Sequence, residues 1–162
     1  FYDFTEPQLE IVADLCQERT LKTGEIVFLE GSKSDELYII VHGVIDILVD
    51  PALVSDKPEE DLEPVTIATL RRGQSFGEIA LVDQGLRSAS ARIAHEDTRL
   101  LIIPSKKLIN SCETYPELGY RLMFNLAADL ALKIRSTSLR VREELLYGHA
   151  RNKNFVKTDA IS

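Results

Sequence analysis

Short apolar runs of β character, punctuated by glycine turns, constrain this chain more than any other feature. Gly24-Glu25-Ile26-Val27-Phe28-Leu29-Glu30-Gly31 is a β run with a glycine at each end. Leu37–Val41 and Val44–Val49 are two more, split by the tight-turn signal His42-Gly43. Val65–Leu70, Ser88–Ala94 and Thr98–Ile103 continue the pattern. About eight short strands of this kind predict a mostly β chain folded as an antiparallel, jelly-roll-like β-roll. A roll of that size has room for one small ligand.

Helices flank the roll. Thr5-Glu6-Pro7-Gln8 combines a capping threonine, a first-turn proline and a capping-box glutamine, so residues 6–18 are expected to form a short amphipathic helix. Ser105–Cys112 is predicted as a second short helix, and Thr114-x-x-Glu117 as the capping box of a long one. That long helix is expected over residues 116–147, roughly 48 Å at the usual rise. Leu122, Met123, Leu126, Leu130, Ile134, Thr137, Val141 and Leu145 form its apolar stripe. A stripe reaching past the roll predicts a two-fold helix pair between subunits, hence a homodimer. Packing on its own roll is the competing reading. The expected organisation is one domain: a roll over residues 1–115, the long helix over 116–147, and a flexible polar tail over 148–162. Residues 51–64, with three prolines and Glu59-Glu60-Asp61, read as a solvated loop.

The candidate site lies in Gly73–Ala91. Gly73 and Gly77 let the backbone bend and approach a ligand closely. Glu78–Val82 is predicted as one helical turn whose first N–H groups face an anion. Arg87 offers a planar donor fork suited to phosphate oxygens, Ser88 a hydroxyl, and Ala89 a small surface. A carboxylate at Glu78 repels phosphate but accepts a bond from a ribose hydroxyl, which points to a sugar phosphate. Read alone, the stretch is equally a surface turn with a Glu–Arg ion pair of little worth.

Phe76-Gly77-Glu78-Ile79-Ala80-Leu81 followed by Arg87-Ser88-Ala89-Ser90 resembles the phosphate-binding cassette of cyclic-nucleotide-binding domains, of the catabolite activator and kinase regulatory-subunit type. Gly24-Glu25, Glu30-Gly31, Asp35, Leu37-Tyr38 and Gly43 extend the resemblance over roughly residues 4–140. Leu86 departs from it, where many members carry proline. The resemblance implies that Glu78 binds the ribose 2′-hydroxyl and Arg87 the cyclic phosphate, with Phe76, Gly77, Ile79, Ala80, Ser88 and Ala89 lining the pocket. It further implies that the base lies near residues 133–137 of the long helix, with Ser136 and Thr137 as hydrogen-bonding candidates. The implied ligand is cAMP, with cGMP open because Ser88 suits a syn guanine. No cofactor is expected, and the downstream partner is unknown. Members that regulate transcription add a helix-turn-helix, for which residues 148–162 are too few.

Composition sets the outer bounds. The 162 residues are 44% hydrophobic and 28% charged, as expected of a soluble globular chain that buries a core. A net charge of −7 argues against a DNA-binding surface. No apolar run approaches a membrane span and no signal peptide is visible, so a cytoplasmic location is expected. Cys16 and Cys112 read as small buried hydrophobes. His42, His95 and His149 lack the spacing of a metal site, and no nucleophile–base pair stands out, so catalysis is not expected. A ligand-free dimerisation domain of the same fold is the remaining alternative.

Overall fold

The computed structural model describes residues 2–51, 63–83 and 85–156. The expected loop over 51–64 falls largely on 52–62, outside the described residues, as do residues 157–162 of the expected tail. The chain divides into two units, Phe4–Gly119 and a helical one built on the described residues 2–3 and 120–156.

The first unit is the roll. It opens with α1 (Glu6–Leu15), where the Gln8 side-chain oxygen accepts the Thr5 N–H at 3.0 Å, satisfying one of the donors a helix start leaves over. Eight strands follow among the described residues: β1 (Gln17–Leu21), β2 (Ile26–Phe28), β3 (Glu36–His42), β4 (Val44–Val49), β5 (Val65–Arg71), β6 (Ser75–Phe76), β7 (Ser90–Ile93) and β8 (Thr98–Pro104). They form two four-stranded antiparallel sheets, one ordered β1-β8-β3-β6 and the other β2-β7-β4-β5. The expected mostly β roll is therefore present.

The elements depart from the sequence reading in several places. Helix was expected through residue 18, but α1 ends at Leu15 and Gln17–Leu21 is strand. Five residues with little apolar character take that form because each pairs with β8, from Gln17 opposite Ile102 to Leu21 opposite Thr98. Pairing of this kind overrides a local helical pattern. The expected second capping box is also absent. Thr114 is the last residue of α3 (Ser105–Thr114), and its hydroxyl donates to the Asn110 carbonyl at 2.9 Å instead of capping.

Inward-facing residues of both sheets build the core. Tyr38, Ile40, Ile45, Phe76, Ala91, Ile93 and Leu100 are buried together. Tyr38 and Phe76 are register partners on β3 and β6, and their rings stack at 4.9 Å with 13° between planes. Phe28 packs against both, at 5.6 and 5.9 Å. Gly43, at φ +97, turns β3 into β4 so tightly that a Cβ there would lie 2.1 Å from Thr98 Oγ1.

Most of α4 (Pro116–Val156) belongs to the helical unit. It runs past the end expected at residue 147, through a stretch with one glycine and no proline. Within this unit Asn125 clasps Tyr2, accepting its N–H at 2.7 Å and donating to its carbonyl at 3.0 Å, while Arg121 donates to the Asp3 carbonyl. Leu122 and Leu126 are buried; Ile134, Leu139, Val141 and Leu145, farther along, are exposed.

Candidate functional site

Between β6 of one sheet and β7 of the other, the chain passes through Gly77, the short helix α2 (Glu78–Asp83) and Arg87. Gly77 sits at φ +85, a left-handed conformation that disfavours any side chain. It also has no space for one, since a Cβ would meet Arg87 Nη1 at 2.6 Å and the Glu36 carbonyl at 3.0 Å. The glycine therefore answers to a neighbouring cation as well as to a turn.

Arg87 is 3% exposed, and protein acceptors surround it. Its Nη1 donates to the Gly77 carbonyl at 2.8 Å, and its Nη2 to Ser34 Oγ at 2.6 Å and the Glu36 carbonyl at 2.8 Å. The guanidinium lies 4.2 Å above the Phe28 ring, with Tyr38 at 5.6 Å, a cation held against aromatic faces. The backbone is anchored as firmly. Gly31 N–H donates to the Arg87 carbonyl at 2.8 Å, and Arg87 N–H to the Ser32 carbonyl at 3.0 Å.

One nitrogen is left over. Arg87 Nε is buried and has no hydrogen-bond partner. A buried donor without an acceptor costs about 1–3 kcal/mol, more on a charged group, so such an atom marks where an acceptor belongs. Burial pushes the guanidinium below the ordinary arginine range, while Tyr38, Glu36 and Glu78 favour its charged form. Glu78, 4% exposed at the start of α2, thus acts electrostatically on Arg87. The buried pair offers one cation and one carboxylate, able to take an anionic oxygen and a hydroxyl respectively.

The other sequence candidates are distributed more widely. Phe76 is buried in the aromatic core, Ala89 is buried, and Ser88 is exposed. Ile79 is 41% exposed, and the Ala80 side chain lies outside the described residues. Ser136 and Thr137 lie on α4 in the helical unit, where the Thr137 hydroxyl donates to the Lys133 carbonyl at 2.9 Å. Sequence reasoning missed Ser34, the Glu36 carbonyl and Phe28, which hold Arg87 from segments more than fifty residues away. No local signal marks a backbone carbonyl as an arginine acceptor.

Two antiparallel sheets around an aromatic core, with a buried arginine on the connection between them, define a β-roll ligand-binding domain. The chain belongs to the cyclic nucleotide-binding domain family, whose model matches residues 18–115. It is 28% identical over 153 residues to the cyclic AMP receptor protein of Thermus thermophilus, covering 94% of this chain and 64% of that one. It is 26% identical over 113 residues to human cGMP-dependent protein kinase 2, covering 70% of this chain and 14% of the kinase. The crystal structure of Thermus thermophilus catabolite activator protein superposes with a TM-score of 0.70 at 28% identity, over 94% of this chain and 65% of that one. The chain thus spans less than two thirds of these relatives. Among the described residues no helix is long and apolar enough to cross a membrane.

Proposed function

We propose that this chain is a sensor module that binds cAMP and passes the binding event through α4 to a partner, without chemistry of its own. Arg87 takes the cyclic phosphate, and Glu78 the ribose hydroxyl. The observation that carries this reading is the buried Arg87 Nε without an acceptor, beside a buried carboxylate. A cyclic phosphate supplies the missing acceptor with a single negative charge. A linear monophosphate brings up to two negative charges into a site that already holds Glu78. Supporting cAMP over cGMP is the match to the cyclic AMP receptor protein along nearly the whole chain. The shorter match to a cGMP-dependent kinase keeps cGMP as the alternative. The exposed apolar residues of α4 support a homodimer formed through that helix.

Titration calorimetry with cAMP, cGMP and 5′-AMP tests the proposal. Cyclic nucleotide binds, and Arg87→Ala weakens it by about 2–4 kcal/mol, the usual loss for a desolvated charged contact. Absence of heat with either cyclic nucleotide would point instead to a ligand-free dimerisation domain, and turnover of the nucleotide to an enzyme.

A further inference from the structure

His42 and His95 are far apart in sequence and together in space. His42 ends β3 beside the Gly43 turn, and His95 opens the turn from β7 into β8. Both turns carry the chain from one sheet to the other, and their rings meet edge to face with centroids 6.0 Å apart and planes at 85°. Both histidines are exposed.

Their setting is more ordered than that of two loop side chains. Thr98 Oγ1 donates to the His95 carbonyl at 2.7 Å, and the same hydroxyl fills the space where a Cβ on Gly43 would stand. One threonine therefore braces both turns. His95 Nδ1 lies 2.7 Å from the Glu96 carbonyl, which accepts only if Nδ1 carries the proton. That assignment leaves Nε2 with its lone pair free, the state of a metal-ligating imidazole whose other nitrogen is held by a carbonyl. Arg99, the register partner of His42, is drawn to Glu18 at 3.3 Å.

We propose that His42 and His95 form a two-imidazole site for a divalent transition metal of the zinc, nickel or copper class, clamping the two turns at this end of the roll. Imidazole nitrogen suits these ions. With Zn–N bonds of about 2.1 Å, two imidazoles on one tetrahedral ion have ring centres roughly 5 Å apart. In the proposed site the 6.0 Å closes to that by rotation of the exposed His42 about its side-chain bonds, His95 keeping its Nδ1 contact to the Glu96 carbonyl. Water completes the coordination, since no third His, Cys, Asp or Glu joins the pair among the described residues. Because the ion bridges elements of both sheets, it binds the folded chain in preference to the unfolded one and raises its stability.

The test is zinc chloride titrated by calorimetry into the whole chain in a non-chelating buffer, on a Cys16→Ser, Cys112→Ser background that removes thiolate binding. One site is expected. His42→Ala and His95→Ala each weaken it at least tenfold, and the double variant is no weaker than either single one, because losing one ligand already abolishes chelation. Copper(II) electron paramagnetic resonance on the same background reads the ligands directly, and two coupled imidazole nitrogens in the parent fall to one in each single variant. The proposal is overturned by the absence of zinc binding, by affinity unchanged in both variants, or by small independent losses that add in the double variant. A copper spectrum with one nitrogen in the parent overturns it equally.

Discussion

Arg87 and Gly77 are fitted to one another: the Arg87 Nη1 that donates to the Gly77 carbonyl at 2.8 Å occupies the space in which any Cβ on Gly77 would stand. Gly77→Ala must therefore strain a backbone at φ +85 and push the guanidinium from its place. The expected cost in urea denaturation is about 1–3 kcal/mol, typical of a left-handed non-glycine residue. Cyclic-nucleotide affinity should fall by at least about tenfold in calorimetry. Undiminished affinity would mean that the seat of Arg87 is irrelevant to the ligand.

Gly43 makes a sharper case, because its neighbours, backbone included, lie closer. An added Cβ would lie 2.1 Å from Thr98 Oγ1 and 2.8 Å from Thr98 Cα, at φ +97. Gly43→Ala should cost about 2–4 kcal/mol, combining left-handed strain with overpacking. Gly24, at φ +88 with nothing within 4 Å, carries the strain alone. Gly24→Ala should cost roughly 1–2 kcal/mol. Urea midpoints that ranked the two the other way round would refute the packing account.

Tyr38 should titrate well above the ordinary tyrosine value. Its hydroxyl donates to Glu36 Oε2 at 2.5 Å, and its pKa is pushed up to about 12, first by burial and then by Glu36, with Ser34 and Arg87 pulling the other way. The folded value lies above the unfolded one, near 10. The stabilisation is thus fully present below pH about 10 and disappears as pH rises through about 12. Ultraviolet titration of the folded protein should show a late tyrosine transition that Tyr38→Phe removes. A profile identical in the two proteins would count against this assignment.

Along α4, Ile134 and Val141 are 66% and 49% exposed in the single chain. If a second copy covers them, Ile134→Ser with Val141→Ser should shift sedimentation equilibrium from dimer toward monomer. Cyclic-nucleotide binding by the monomer should survive. A parent protein that sediments as a monomer at every concentration would remove the dimer from the proposal.

Much of the roll was legible because its rules are local. The short apolar runs at 37–41 and 44–49, rich in β-branched residues and bounded by turn signals, had to become strands, being too short for helices. His42-Gly43 had to turn between them, since glycine tolerates a positive φ. The chemistry of Glu78 and Arg87 was legible for a similar reason: a carboxylate and a guanidinium carry their donors and acceptors wherever the chain takes them.

What no local rule contains is who meets whom. Gln17–Leu21 became a strand because β8 offered it partners, and Thr114 turned back to Asn110 instead of capping α4. Ser34 and the Glu36 carbonyl hold Arg87, and His42 faces His95, across separations that sequence spacing does not encode. The amino-acid order decided which residues could form strands and turns and which could bind charge. Long-range pairing of the two sheets decided burial, the distances between those residues and the single arginine nitrogen left without an acceptor. Hydrogen-bond geometry and close packing depend on atoms brought together from distant parts of the chain, and only the folded structure brings them together.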